Sequence, residues 1–294
     1  MKLYGALEAG GTKMVMAVAD ESGKLIERVS IPTRTPGETM PEMIAFFRAR
    51  SVAALGIGCF GPLELRRTAS NYGSITATPK LAWRGYPILA AFREALGVPA
   101  ELDTDVNGAA LAEAELGAAR GLESCLYVTV GSGIGGGLII HGRPVHGLMH
   151  PEIGHIPVRI DPDDPLTRGI CPYHPACLEG LASGPAIERR WGLSAKELPD
   201  DHPAWELECG YLAQLCATAL LAFSPERIIL GGGVMQKKQL FPRIRMRTVE
   251  LLGGYVPIPE VENGLRECIV EPGLGVDSGI LGAYLLARKA EETA

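Results

Sequence analysis

Two cysteines and a histidine recur at a regular spacing in the middle of the chain. Cys171, His174 and Cys177 are each separated by two residues. Thiolates and imidazoles at short spacings are the ligands that Zn²⁺ takes in tetrahedral sites. A fourth ligand is available upstream, from His155 or from His150. Four protein ligands leave no open coordination position, so the pattern predicts a structural zinc site rather than a catalytic one.

Three glycine-rich segments, at residues 10–13, 131–137 and 231–233, each follow a predicted strand. Glycine permits tight turns and lets backbone N–H groups approach an anion closely. A spacing G-x-G-x-x-G begins at Gly56 and again at Gly131, but neither copy opens a helix, as a dinucleotide site requires. The P-loop pattern G-x-x-x-x-G-K-[ST] is absent. The three segments together therefore predict phosphate-binding turns of another kind.

Two carboxylates, Asp103 and Asp105, lie where a predicted strand gives way to a predicted helix. A carboxylate beside a hydroxyl group can take its proton when that hydroxyl attacks a phosphoryl group. Acids at this position also commonly cap the following helix. For Asp103 the capping role is the favoured interpretation, and both roles stay open for Asp105.

Elements of alternating type must position these residues. Strands are predicted over 3–7, 14–19 and 25–30, and helices over 39–49 and 106–119. Strand, glycine turn and strand recur further on, with the second strand at 138–141. Strands and helices alternate to the end of the chain, which predicts the α/β class. The repeated strand–turn–strand pattern is weak support for an internal duplication.

Three motifs together resemble the ROK family, which contains repressors and bacterial sugar kinases. They are EAGGTK at 8–13, DVN at 105–107 and GSGIGGG at 131–137. The resemblance extends from the first strand to the last helix. It implies the actin-like (ribonuclease H-like) ATPase fold, with two lobes and a cleft between them for ATP and sugar.

The same resemblance implies lobe boundaries and residue roles. The first lobe is expected over 1–115, rejoined by the C-terminal helix at 277–294, and the second over 116–276. Asp105 takes the position of the catalytic base. The implied ATP contacts are Gly10, Gly11, Thr12, Lys13, Ser132, Gly133, Pro185, Gly232 and Gly233. The implied sugar contacts are Asn107, Glu152 and Glu179, and the implied zinc ligands are His155, Cys171, His174 and Cys177.

The form of the metal segment resembles the fructokinase branch of that family. The glucokinase-like branch has a denser Cys-x-Cys-Gly-x-x-Gly-Cys segment, whereas residues 171–177 read Cys-x-x-His-x-x-Cys. The segments at 71–75 and 78–83 also look like the substrate loop of the fructokinase branch. Glu8 stands where many of these kinases carry Asp. The sequence EAGGTK at 8–13, which begins with this glutamate, is similar to that of the fructokinase branch. The expected reaction is transfer of phosphate from ATP, with Mg²⁺, to D-fructose.

Composition limits the other classes of function. The 294 residues carry a net charge of −6, which argues against a nucleic-acid partner, and the sequence shows neither a signal peptide nor a membrane span. A cytoplasmic protein is expected, and the resemblance adds a homodimer. Three alternatives remain: a kinase for mannose or glucose, a sugar-binding protein without activity, and a repressor, which is disfavoured because no DNA-binding domain is expected in the few residues before Glu8.

Overall fold

The computed structural model describes residues 2–294 and divides into two compact units. Unit 1 contains residues up to 113, the segment 143–151 and the C-terminal residues 276–294. Unit 2 contains residues 114–142 and 152–275. The segment 143–151 therefore belongs to unit 1, although it falls inside the range 116–276 expected for the second lobe.

Strands and helices alternate along the chain, which confirms the predicted α/β class. In chain order they are β1 (Leu3–Ala9), β2 (Lys13–Asp20), β3 (Leu25–Pro32), α1 (Pro36–Ala49), β4 (Ala54–Cys59), α2 (Ile88–Leu96), β5 (Ala100–Thr104), α3 (Asp105–Glu115), β6 (Ser124–Val130), β7 (Ile134–Ile140), β8 (Arg143–Pro144), α4 (Leu178–Ala182), α5 (Gly184–Trp191), α6 (Ala204–Ala222), β9 (Arg227–Gly231), α7 (Leu240–Leu252), α8 (Pro259–Glu262), β10 (Ile269–Val270) and α9 (Ser278–Glu292).

The sheet of unit 1 has the order β3-β2-β1-β4-β5. Strands β1 to β3 form the predicted antiparallel meander, and β4 and β5 add to β1 in parallel. Every residue of β4 is buried, as is typical of a parallel strand covered on both faces. Phe47 of α1 and Phe92 of α2 are fully buried in the core of this unit. The sheet thus holds β5, and the residues that follow it, in a fixed position.

Helix α9 returns the end of the chain to unit 1 and packs on β1, β4 and β5. It also comes close to α3. A Cβ atom placed on Gly282 would lie 2.0 Å from the carbonyl oxygen of Gly108, so only glycine allows this approach. The contact fixes α3, whose first residue is Asp105.

The sheet of unit 2 runs β10-β9-β6-β7. Strands β6 and β7 form an antiparallel hairpin, and β9 and β10 continue the sheet in parallel. A hairpin followed by two parallel strands therefore occurs in each unit, which agrees with the internal duplication suggested by the sequence.

Three predicted boundaries are wrong. Strand β7 begins at Ile134 rather than at residue 138, because Gly135 to Gly137 pair with β6 instead of extending the turn. Helix α1 begins at Pro36 rather than at residue 39, since Thr35 and Glu38 form a capping box before it. Helix α3 ends at Glu115 and not at residue 119, ahead of a turn that contains Gly117.

Unit 2 contains a buried ion pair. Arg190 donates from Nε to Oδ1 of Asp164 at 2.7 Å and from Nη2 to Oδ2 at 2.9 Å, and both side chains are almost fully buried. The hydroxyl of Tyr211 on α6 donates to the same carboxylate at 2.5 Å. These bonds lower the pKa of Asp164 against the effect of its burial. The pair joins α5 to α6 and to the loop that carries Asp164.

None of the helices formed by residues 2–294 has both the length and the apolar composition needed to cross a bilayer.

Candidate active site

Asp105 is the first residue of α3, directly after β5. The hydroxyl oxygen of Thr104 accepts a hydrogen bond from the backbone N–H of Asn107 at 3.1 Å, so Thr104 caps the helix. Neither acid is therefore needed as the cap, which was the competing interpretation for Asp103 and Asp105. Oδ1 of Asp105 accepts from the N–H of Val106 at 2.9 Å. Its carboxylate is half-buried at the N-terminus of a helix, where negative charge is favoured.

Asp103 and Asn107 form a buried polar cluster beside this helix start. Nδ2 of Asn107 donates to Oδ1 of Asp103 at 2.7 Å, and the N–H of Thr104 donates to the same oxygen at 2.8 Å. His146 reaches the cluster from the segment 143–151, with Nε2 at 3.0 Å from Oδ2 of Asp103. Asn107 was expected as a sugar contact, whereas no motif in the sequence indicates His146.

The first glycine segment is a tight turn between β1 and β2. The N–H of Gly10 donates to the carbonyl oxygen of Lys13 at 3.0 Å. Thr12 and Lys13 are exposed on the turn, where their side chains are available to an anion. Gly11 lies between them and Gly10.

Glu8 precedes this turn and lies against the start of α9. A Cβ atom on Gly279 would lie 2.7 Å from Oε1 of Glu8, so the carboxylate is close to the helix N-terminus. Burial raises the pKa of Glu8, and the charges of Arg28 and Lys13 oppose this effect. A helix N-terminus also stabilises the ionised form of a carboxylate.

Three segments meet at the second glycine turn, in unit 2. The N–H of Gly131 donates to the carbonyl oxygen of Gly133 at 2.9 Å, and the N–H of Gly184 donates to the carbonyl oxygen of Gly131 at 2.7 Å. Gly184 begins α5, with Pro185 in its first turn. Gly232 follows β9 at a φ of 91°, and Gly233 comes next. The structure thus brings together the phosphate turn, a helix N-terminus and the glycines expected at the adenosine, and a helix N-terminus favours anions.

A cavity of about 360 Å³ adjoins Gly233 in unit 2. Its size lies at the lower end of the range of small-molecule pockets. Gly233 is the predicted ATP residue that lines it; the other lining residues are Ala195, Lys196, Asp200, Gln236, Lys237 and Gln239. No motif or spacing in the sequence indicates these residues, because they come together from two separate segments, 195–200 and 236–239.

The four predicted metal ligands lie together in unit 2. The ligand atoms of His155, Cys171, His174 and Cys177 are all within 4.8 Å of one another. Nδ1 of His155 lies 3.9 Å and 3.7 Å from the sulfur atoms of the two cysteines, and Nδ1 of His174 lies 3.6 Å from that of Cys171. In a tetrahedron with bonds of about 2.0–2.3 Å, ligand atoms are about 3.5 Å apart. Two sulfur and two nitrogen ligands at these separations fit Zn²⁺. His150 is elsewhere, in unit 1.

Backbone hydrogen bonds bring these ligands together from separate parts of the sequence. The N–H of Val158 donates to Ala176 at 2.9 Å, and the N–H of Leu178 donates to Ile156 at 3.0 Å. This short ladder places His155, at the end of a 3-10 turn, beside Cys177.

Glu179 joins the metal cluster to the second glycine turn. Its Oε1 lies 3.9 Å from Nε2 of His155, and its Oε2 accepts from the N–H of Ile134 at 2.9 Å. A Cβ atom on Gly133 would lie 2.7 Å from that oxygen, so a larger residue there would displace the Glu179 carboxylate. A carboxylate behind a metal-binding imidazole orients the ring. Glu179 was expected as a sugar contact, and in the structure it occupies this connecting position.

Glu152 is the other acid of unit 2, beside Glu179, that has a predicted role. It is half-buried, and burial together with the charge of Glu179 raises its pKa to about 7. Two carboxylates near each other resist full ionisation, because each charge disfavours the other. Hydroxyl groups of a bound sugar are suitable donors to such a pair.

Known proteins are similar to this chain over nearly its whole length. The model of the ROK family matches residues 4–290. A fructokinase from Zymomonas mobilis is 45% identical, covering 99% of this chain and 98% of its own. A fructokinase from Pediococcus pentosaceus is 42% identical over 99% of this chain and 100% of its own.

A solved structure supports the assignment of the fold. The ROK family glucokinase of Streptomyces griseus, in complex with glucose and AMPPNP, superposes with a TM-score of 0.76 at 25% identity, covering 98% of this chain and 99% of its own. The expected actin-like ATPase fold is confirmed by this likeness. From its sequence motifs, its fold and these matches, the chain belongs to the ROK family.

Proposed function

We propose that the protein is a fructokinase, which transfers the γ-phosphoryl group of ATP to D-fructose and releases fructose 6-phosphate and ADP. The observation that carries this proposal is full-length similarity, at 42–45% identity, to two fructokinases. The glucokinase complex with glucose and AMPPNP supports a sugar and a nucleotide as the two ligands.

In this proposal Asp105 is the catalytic base. The hydroxyl oxygen at C6 of fructose attacks the γ-phosphorus of ATP, the bond from phosphorus to the β-γ bridging oxygen breaks, and the hydroxyl proton passes to the Asp105 carboxylate. The position of Asp105, half-buried at the start of α3, supports this role. Phosphoryl transfer depends mainly on positioning and on charge stabilisation, so the base contributes one part of the rate.

The remaining residues bind and orient the two substrates. Residues 10–13, Ser132 and Gly133 contact the ATP phosphates. Pro185 lies beside the nucleotide, and Gly232 and Gly233 lie along the adenosine. Mg²⁺ enters with ATP, where it neutralises phosphate charge. Asn107, Glu152 and Glu179 bind sugar hydroxyls.

The metal cluster has a structural role in this proposal. Zn²⁺ held by His155, Cys171, His174 and Cys177 cross-links the segment after Glu152 to the segment before Glu179, and thereby holds both acids in place. Its four protein ligands leave no position for substrate.

The proposal also includes a homodimer in the cytoplasm, where ATP is available. Light scattering on the purified protein tests the first point, and cell fractionation tests the second.

A panel of sugars tests the reaction. The purified protein is incubated with ATP and Mg²⁺ and with fructose, mannose, glucose or N-acetylated hexosamines, while ADP release is measured. We expect fructose to give the highest kcat/KM, and Asp105→Asn to lower kcat at least ~10²-fold. Exposed Glu94 on α2 provides a control, because Glu94→Gln changes a carboxylate far from the chemistry.

The panel also separates the alternatives. Higher kcat/KM with glucose or mannose would keep the kinase and replace its substrate, an outcome that the glucokinase relative makes worth testing. A protein that binds ATP and sugar but releases no ADP would refute the kinase.

A further inference from the structure

The cluster of Asp103, Asn107 and His146 in unit 1 has a defined pattern of donors and acceptors. Oδ1 of Asp103 accepts from Nδ2 of Asn107 and from the N–H of Thr104. Oδ2 of the same carboxylate lies 3.0 Å from Nε2 of His146. A carboxylate can only accept, so Nε2 of His146 is the donor in this bond.

The pKa of His146 responds to this contact. The hydrogen bond to Asp103 raises its pKa, partial burial opposes this effect, and the charges of Lys289 and Glu101 act in opposite directions. His150 is the other titratable group near the ring. Nδ2 of Asn107 is 3.2 Å from Nε2 of His146, and two donors cannot bond each other. The amide N–H therefore bonds Asp103, and the imidazole ring closes the other side of the amide.

The amide of Asn107 is left with one unpaired atom. Its side chain is 1% exposed, and Oδ1 is without a hydrogen-bond partner among residues 2–294. A buried acceptor without a partner is unfavourable, and a ligand that donates to it removes this disadvantage. Since Nδ2 donates to Asp103, the side-chain amide cannot rotate by 180° without losing that hydrogen bond. The free group is thus fixed as an acceptor, which selects a donor such as a hydroxyl.

We infer that His146 is a positioning residue for sugar binding: through Asp103 it locks the Asn107 amide so that Oδ1 accepts from a hydroxyl of the hexose. The inference rests on the proposed function, in which Asn107 contacts the sugar, and adds a residue from the segment 143–151. His146 acts before the chemical step, so it governs the KM for the sugar rather than kcat.

Two variants at one position test the bond from Nε2. In His146→Gln the amide nitrogen can occupy the place of Nε2 and donate to Asp103, whereas the shorter side chain of His146→Asn cannot reach it. We expect His146→Asn to raise the KM for fructose about tenfold, the loss of one charge-assisted hydrogen bond, with kcat and the KM for ATP unchanged. We expect His146→Gln to stay within about threefold of the wild type. His141→Asn is the matched control, since His141 is exposed and asparagine tolerates its positive φ of 50°.

A double variant tests whether His146 acts through Asn107. In an Asn107→Ala background, His146→Asn should change the KM by less than about twofold, because the amide that it positions is gone. If the double variant raises the KM by the product of the two separate fold-changes, the inference is overturned and His146 is an independent contact. Equal behaviour of the Gln and Asn variants, or an effect on kcat alone, would also overturn it.

The wild-type measurement separates this inference from the proposed function. If another hexose proves to be the substrate, the same variants are compared with that sugar. If the wild type phosphorylates none of the sugars, the proposed function fails and the inference falls with it. An active wild type with unaffected variants would refute the inference alone.

Discussion

Glu208 on α6 is a carboxyl group in an apolar environment, and its replacement by glutamine gives a measurable effect of pH on stability. The side chain is 1% exposed, and neither oxygen has a hydrogen-bond partner within the described part of the chain. Burial raises its pKa from 4.5 to about 8, with the charge of Arg190 opposing. The folded protein therefore binds this proton more tightly than the unfolded chain does.

The sign and size of the effect follow from these values. Below pH 4.5 the group is protonated in both the folded and the unfolded state, so it does not make the free energy of unfolding depend on pH. Between pH 4.5 and 8 the unfolded chain ionises while the folded protein keeps the proton, so the free energy of unfolding falls by about 1.4 kcal/mol per pH unit. The fall ends near pH 8, where the total is about 5 kcal/mol. Glutamine has nearly the same shape and stays neutral, so Glu208→Gln should avoid the loss.

Urea unfolding at pH 5 and at pH 9 is the assay. Trp191 and Trp205 lie in unit 2 with Glu208, and their fluorescence reports its unfolding. We expect the variant and the wild type to differ by less than about 1 kcal/mol at pH 5, and the variant to be several kcal/mol more stable at pH 9. Glu250→Gln, at an exposed position on α7, should show no such difference. A stability gain for Glu208→Gln that is equal at both pH values would refute the reasoning.

Two further predictions concern unit 2. Purified protein should contain about one zinc ion per chain by elemental analysis, and Cys171→Ser should lose it and melt about 10 °C lower, whereas Tyr173→Ala, at an exposed position in the same loop, should keep it. Zinc bound equally by Cys171→Ser would contradict the assigned ligand set. Arg190→Met leaves the Asp164 carboxylate buried without its partner, so the free energy of unfolding should fall by about 3–5 kcal/mol. The double variant Arg190→Met with Asp164→Asn should recover part of that loss in urea unfolding, and an additive effect of the two changes would exclude the coupling.

The metal cluster and the strand pattern could be predicted because both depend on local sequence. Cys171, His174 and Cys177 lie within seven residues. The strands are indicated by runs of apolar residues that end at turn residues. The three boundary errors arose where strand pairing, capping or a turn decided the end of an element. Glycines 135–137 looked like a turn, yet their backbone groups pair with β6.

The polar clusters could not be predicted, because they join distant residues. His146 and Asp103 are 43 residues apart, and no spacing in the sequence relates them. Glu206 and Glu208 are two positions apart, so they point to different sides of α6. One binds Arg243 and Arg247 at the surface and the other is buried. The apolar residues of α6 lie on all of its sides, which removed the periodicity that distinguishes such positions.

The return of α9 to unit 1 has a consequence for how the chain folds during synthesis. Strands β1, β4 and β5 leave the ribosome early, but the helix that packs on all three, α9, is made more than 170 positions later. Almost all of unit 2 is made in between, and its strands find their partners within the intervening stretch. Domains generally fold as units as they emerge. Unit 2 is thus expected to fold before α9 has been made, and unit 1, with Asp105, to be completed only once α9 has emerged.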